Sequence, residues 1–154
     1  MGDSIAQTIR QGSCLCGNIR YTLTGDPLGA FLCHCTNCKK FTGSPFQGTG
    51  MFKKEQVSIQ DGTSSLKTHE DTATDNNNTL RRSFCSNCGS SMFIVSSAAE
   101  HLLVVTVGTL DKGQTPWKNN VECYARDSFG WTQSREGVHL FEGGPDMSAV
   151  KRPS

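Results

Sequence analysis

At 154 residues the chain is long enough for one domain with a buried core. A net charge of +1 and scattered basic pairs (Lys39-Lys40, Lys53-Lys54, Arg81-Arg82) give no electrostatic footprint for nucleic acid. No stretch approaches the roughly 18 apolar residues of a membrane span, and the opening residues Met1 to Ala6 form neither a secretion leader nor a myristoylation signal. The expectation is a cytoplasmic protein with neither a membrane nor a nucleic acid as partner.

Short strands separated by turns dominate the chain. Residues 18–23 alternate, with Ile19, Tyr21 and Leu23 on one face, and predict a strand. A helix of a turn or two is expected to begin near Cys35. Further strands are expected at 45–52, 56–60, 80–84, 91–95 and 102–110, with a weaker one at 121–124. A short helical piece is expected near Ala98. Residues 61–79, rich in Ser, Thr, Asp and Asn, read as an exposed loop. Turn sequences such as Gly25-Asp26-Pro27 and Asp61-Gly62 punctuate the pattern. The reading is a mainly β single domain over residues 10–141, with flexible termini at 1–9 and 142–154.

Seven of the eight cysteines fall into three tight clusters: Cys14 and Cys16; Cys33, Cys35 and Cys38; Cys85 and Cys88. In a reducing compartment such pairs are thiols or metal ligands rather than disulfides. Zinc takes four tetrahedral ligands, and local pairs deliver two at a time. Two of the clusters end in glycine, Gly17 and Gly89, which lets a turn tighten and its amides approach the sulfurs. Along a strand, Cys14 and Cys16 would point to one face. These features pair Cys14, Cys16, Cys85 and Cys88 as one closed site linking distant segments.

The middle cluster has three cysteines and no following glycine. Three thiolates on a divalent zinc leave one net negative charge, which Lys39 and Lys40 are expected to offset in part. The fourth position is either open to water or substrate, or closed by Cys123. His34, between two ligands, is expected beside the metal or exposed rather than on it. His69, His101 and His139 read as surface residues.

With these residues in order, the stretches Ser13-Cys14-Leu15-Cys16-Gly17, Cys33-His34-Cys35-Thr36-Asn37-Cys38 and Phe84-Cys85-Ser86-Asn87-Cys88-Gly89 resemble the glutathione-dependent formaldehyde-activating enzyme family. The resemblance spans roughly residues 10–133. It implies an Mss4-like fold, a tent of short antiparallel sheets stapled by zinc. It also implies two zincs per chain: a structural one on Cys14, Cys16, Cys85 and Cys88, and a catalytic one on Cys33, Cys35 and Cys38. The implied activity is that of a zinc-dependent carbon–sulfur lyase acting on thiol–aldehyde adducts, like S-(hydroxymethyl)glutathione synthase. Its partner would be a small-molecule thiol or aldehyde, glutathione and formaldehyde being the family's own. Two alternatives stand beside it: a related zinc enzyme with another small substrate, and a non-catalytic zinc-stabilised binding module.

Overall fold

In a computed structural model, which describes residues 6–146, the first strand β1 (Ile9–Ser13) turns Arg10 and Gly12 inward and leaves Ile9 and Gln11 in solvent. The strands that follow are β2 (Arg20–Thr24), β3 (Gly29–Cys33), β4 (Gln47–Lys53), β5 (Val57–Gln60) and β6 (Leu66–Asp71). After them come β7 (Leu80–Cys85), β8 (Ser91–Ser96), β9 (Leu102–Thr106), β10 (Val121–Cys123) and β11 (His139–Leu140). Helix α1 (Thr36–Thr42) sits between β3 and β4. The strands form a small sheet ordered β1-β2-β5 and a long one ordered β11-β10-β3-β4-β9-β8-β7-β6. Pairing is antiparallel except at β10, which runs parallel to both β3 and β11. The protein is thus mainly β and one domain.

The core lies between the sheets. Tyr21 and Leu23, preceded by Ile19, are fully buried, as their alternation predicts. They pack with Phe52, Met92, Phe93, Val105 and Trp117. Tyr21 meets Phe93 edge-on, with ring centroids 5.3 Å apart. Gly12 is required beneath this cluster, because a Cβ there would stand 2.2 Å from the Tyr21 ring. A smaller cluster of Phe31, Val121 and Cys123 seals the β3–β10 end.

Several elements differ from the sequence reading. The inward residue of β1 is Arg10, held by the carbonyls of Thr115 at 2.9 Å and Gly25 at 3.1 Å and by Asp26 at 3.0 Å. A buried arginine satisfied in this way reverses the usual polarity pattern and hides the strand. The expected loop at 61–79 contains β6, paired along its whole length with β7. Its register partners run from Leu66↔Cys85 to Asp71↔Leu80. As an edge strand it needs few apolar residues, since ladder hydrogen bonds and not burial hold it. The expected helical piece near Ala98 is a tight turn joining β8 and β9, closed by Ala99 N–H to Ser96 O at 3.0 Å. The ends at 1–5 and 147–154 lie outside the described residues. On the C-terminal side, Tyr124 N–H donates to Gly143 O at 2.8 Å, tying the chain to the end of β10 as far as that glycine. No helix among the described residues is long and apolar enough to cross a membrane.

Candidate functional site

Two groups of thiols converge: the four of the glycine-ended clusters and the three of the middle one. The sulfurs of Cys14, Cys16, Cys85 and Cys88 lie within 4.8 Å of one another. Cys14 and Cys16 do not share a strand. Cys14 opens, and Cys16 lies within, a turn just after β1, closed by Gly17 N–H to Cys14 O at 3.0 Å, with Gly17 at φ +80°. The second turn follows β7, with Gly89 N–H to Cys85 O at 2.8 Å and Gly89 at φ +78°. Both glycines occupy the left-handed region that disfavours a side chain. The Ile19 amide donates to the Cys14 sulfur at 3.2 Å, and the Ser90 hydroxyl lies 3.2 Å from that of Cys88. That hydroxyl holds the Cys88 thiol down to about 5, whereas burial raises Cys85 to about 11. Cys16 lies 3.6 Å from Cys14 and 3.8 Å from Cys85. A tetrahedral zinc with sulfurs at about 2.3 Å would separate them by about 3.8 Å. The four thiols therefore fit a zinc.

The sulfurs of Cys33, Cys35 and Cys38 also lie within 4.8 Å of one another. Cys33 ends β3, Cys35 caps α1, and Cys38 sits in its first turn. The cap is the ligand itself: the Cys35 sulfur accepts the Cys38 amide at 3.3 Å. Hydrogen bonds from the Cys33 and Cys38 thiols hold Cys35 far below the usual thiol range, against its burial and with help from Arg82. Cys33 is correspondingly pushed far up by Cys35 and Cys38. Three thiolates packed this closely need a cation before all can ionise, which is the chemistry of a metal site.

This group forms the floor of a cleft of about 260 Å³. Its walls include Ala73 to Asn76 from the β6–β7 connection and Tyr124, Arg126 and Asp127 after β10, with Tyr124 in the left-handed region at φ +55°. Tyr124 donates its hydroxyl to Asp75 Oδ1 at 2.7 Å, and Arg126 lies 3.7 Å from the same carboxylate. Asn37 ties α1 to the end of β6 and the residues after it, donating to both Asp71 oxygens at 3.1 and 3.0 Å and to Ala73 O at 3.0 Å.

A model of the glutathione-dependent formaldehyde-activating enzyme family matches residues 9–127, a span that holds all eight cysteines. The chain belongs to that family. No curated protein matches the sequence. A crystal structure of a Rhodobacter sphaeroides protein is similar in fold, with a TM-score of 0.52 and 19% identity. The alignment covers 70% of this chain and 99% of that one.

Within this member of the family, the cation beside the middle group is not the one that the adjacent lysines suggest. Lys39 and Lys40 do not reach the thiols. Lys39 donates to Asp127 O at 2.6 Å and lies 4.1 Å above the Phe129 ring, while Lys40 is exposed. The nearby cation is Arg82 on β7, whose Nη1 lies 3.7 Å from the Cys38 sulfur. Its Nε donates to Asp71 at 2.8 Å. Nothing in the local sequence marks Arg82, because β6 and β7 carry it to the cleft from far along the chain. His34, expected beside the metal or exposed, is buried and outside the group of three sulfurs, with Nε2 2.8 Å from Glu122 Oε2. The same carboxylate oxygen accepts the Ser134 hydroxyl at 2.9 Å.

Proposed function

We propose that the protein is a zinc-dependent carbon–sulfur lyase acting on thiol–aldehyde adducts, in the manner of S-(hydroxymethyl)glutathione synthase. The observation that carries this reading is the convergence of Cys33, Cys35 and Cys38 on the floor of an open cleft while Cys123 stays outside the group. In this reading Cys14, Cys16, Cys85 and Cys88 hold a structural zinc, and Cys33, Cys35 and Cys38 hold the catalytic one. Zinc at the cleft supplies a Lewis acid that stabilises a thiolate or polarises an aldehyde oxygen. Family membership supports formaldehyde-activating chemistry with a thiol.

The chain's own contribution is positioning. Condensation forms one carbon–sulfur bond and moves the thiol proton to the former carbonyl oxygen, so no acid or base is consumed overall. The cleft lining, braced by the Tyr124–Asp75 and Asn37–Asp71 hydrogen bonds, would hold both reactants beside the three thiols. Bringing two small molecules together in this way lowers the entropic part of the barrier. All eight cysteines are free thiols, which suits a reducing compartment such as the cytoplasm.

The test is NMR detection of hydroxymethyl adduct from formaldehyde and a thiol, run with glutathione, cysteine and a larger thiol on zinc-loaded protein. Adduct formation should exceed the spontaneous rate with at least one thiol and fall to that rate in Cys35→Ser. Equal rates with and without the wild-type protein for every thiol would overturn the lyase reading.

A further inference from the structure

The buried charge beside the middle thiols has its own consequence. Arg82 is 3% exposed and forms part of the cleft lining. Its guanidinium is held three ways: Nε on Asp71 at 2.8 Å, Nη1 on the Cys38 sulfur at 3.7 Å, and its Cζ 5.4 Å from the Phe41 ring centroid. Asp71 is fixed in turn by Asn37, which lies between the ligands Cys35 and Cys38. Arginine is always charged, and its rigid fork can serve a carboxylate and a sulfur together.

Charge counting gives this network a role, resting on the proposed reading that the middle group holds a divalent metal and accepts a thiol. Three thiolates and a divalent ion already carry one net negative charge, and an incoming thiolate adds another. In a half-buried site that second charge is costly unless a cation lies close. We propose that Arg82 is the positioning residue that makes the centre accept an anionic sulfur ligand. It compensates the added charge through Cys38, and Asp71 and Asn37 keep it aimed. Neutral ligands gain nothing from it.

The test uses cobalt(II)-loaded protein and follows sulfur-to-metal charge-transfer absorption as ligand is added. 2-Mercaptoethanol, which carries no carboxylate, probes the anionic sulfur ligand; imidazole probes a neutral one. Arg82→Met should weaken 2-mercaptoethanol binding roughly ten-fold or more, the usual scale for an outer-shell partner, with imidazole binding unchanged. Arg82→Lys should recover part of the loss. Because Arg82→Met strands a buried carboxylate, the double variant Arg82→Met/Asp71→Asn removes the pair together and should show the same split. Equal weakening of both ligands, or of neither, would overturn the role of Arg82. Failure of the wild-type cobalt protein to bind either ligand would instead overturn the open-site reading on which it rests.

Discussion

Cys123 stands opposite Cys33 in the parallel ladder between β10 and β3, yet its thiol lies outside the group formed by Cys33, Cys35 and Cys38. It packs instead with Phe31 and Val121. Burial, then the charges of Cys38 and Cys35, raise its thiol to about 12. A protonated, buried cysteine of this kind behaves as a small apolar residue.

Cys123→Ala should therefore leave the metal content unchanged and cost about 1 kcal/mol through a small cavity. Metal analysis and chemical denaturation measure the two quantities. Loss of one equivalent of zinc would identify Cys123 as a ligand.

The two thiol groups should respond differently to the same chemical change. Cys14 and Cys16 join the end of β1 to the turn after β7, about seventy residues away, so Cys88→Ser removes a tie between distant parts of the fold. That variant should unfold or aggregate. Cys35→Ser should bind less metal at the cleft yet keep cooperative thermal unfolding, because β3, α1 and β4 are adjacent in sequence and need no metal to meet. Similar loss of structure in both variants would contradict the division into structural and catalytic groups.

Much of this organisation was legible in the residues themselves. The alternation of Ile19, Tyr21 and Leu23 marks β2, and Gly17 and Gly89 mark the two turns that present four thiols together. β1 and β6 were hidden for a common reason. Their inward positions include Arg10 and Asp71, each satisfied by a partner that only the fold brings near. The i, i+2 spacing of Cys14 and Cys16 suggests strand neighbours, but Cys16 lies within the turn that Cys14 opens, so the shared direction comes from the turn rather than from the pleat. The adjacent Lys39 and Lys40 suggest themselves as the cation of the middle group, but Arg82 fills that place. It arrives from β7 because pairing with β6 brings Arg82 opposite His69, beside Asp71.

The Asp71–Arg82 pair also sets an acid limit. Burial alone would raise the Asp71 carboxyl, but the Arg82 guanidinium and the Asn37 amide outweigh it and hold it below the ordinary value. A carboxylate depressed on folding contributes stability above its unfolded value of about 3.9. That contribution disappears as pH falls through the lower folded value. Asp71→Asn should thus flatten the acid limb of a stability–pH curve measured by urea unfolding. An unchanged acid limb would show that the pair adds nothing on folding.

Glu122 joins two otherwise separate segments, accepting from Ser134 and pairing with the buried His34. Glu122→Ala should lower stability by about 1–3 kcal/mol, because it strands the buried imidazole of His34. Glu122→Gln, which retains an acceptor oxygen, should recover part of the loss in the same denaturation experiment. An alanine variant as stable as wild type would mean that the pair contributes nothing net.

The most direct measurement is a crystal structure of the zinc-loaded protein. One zinc should lie on Cys14, Cys16, Cys85 and Cys88. A second should lie on Cys33, Cys35 and Cys38, with its fourth ligand not supplied by the protein. A fourth bond from the sulfur of Cys123, or no metal at the cleft, would contradict the reading of three cysteines as the chemical centre.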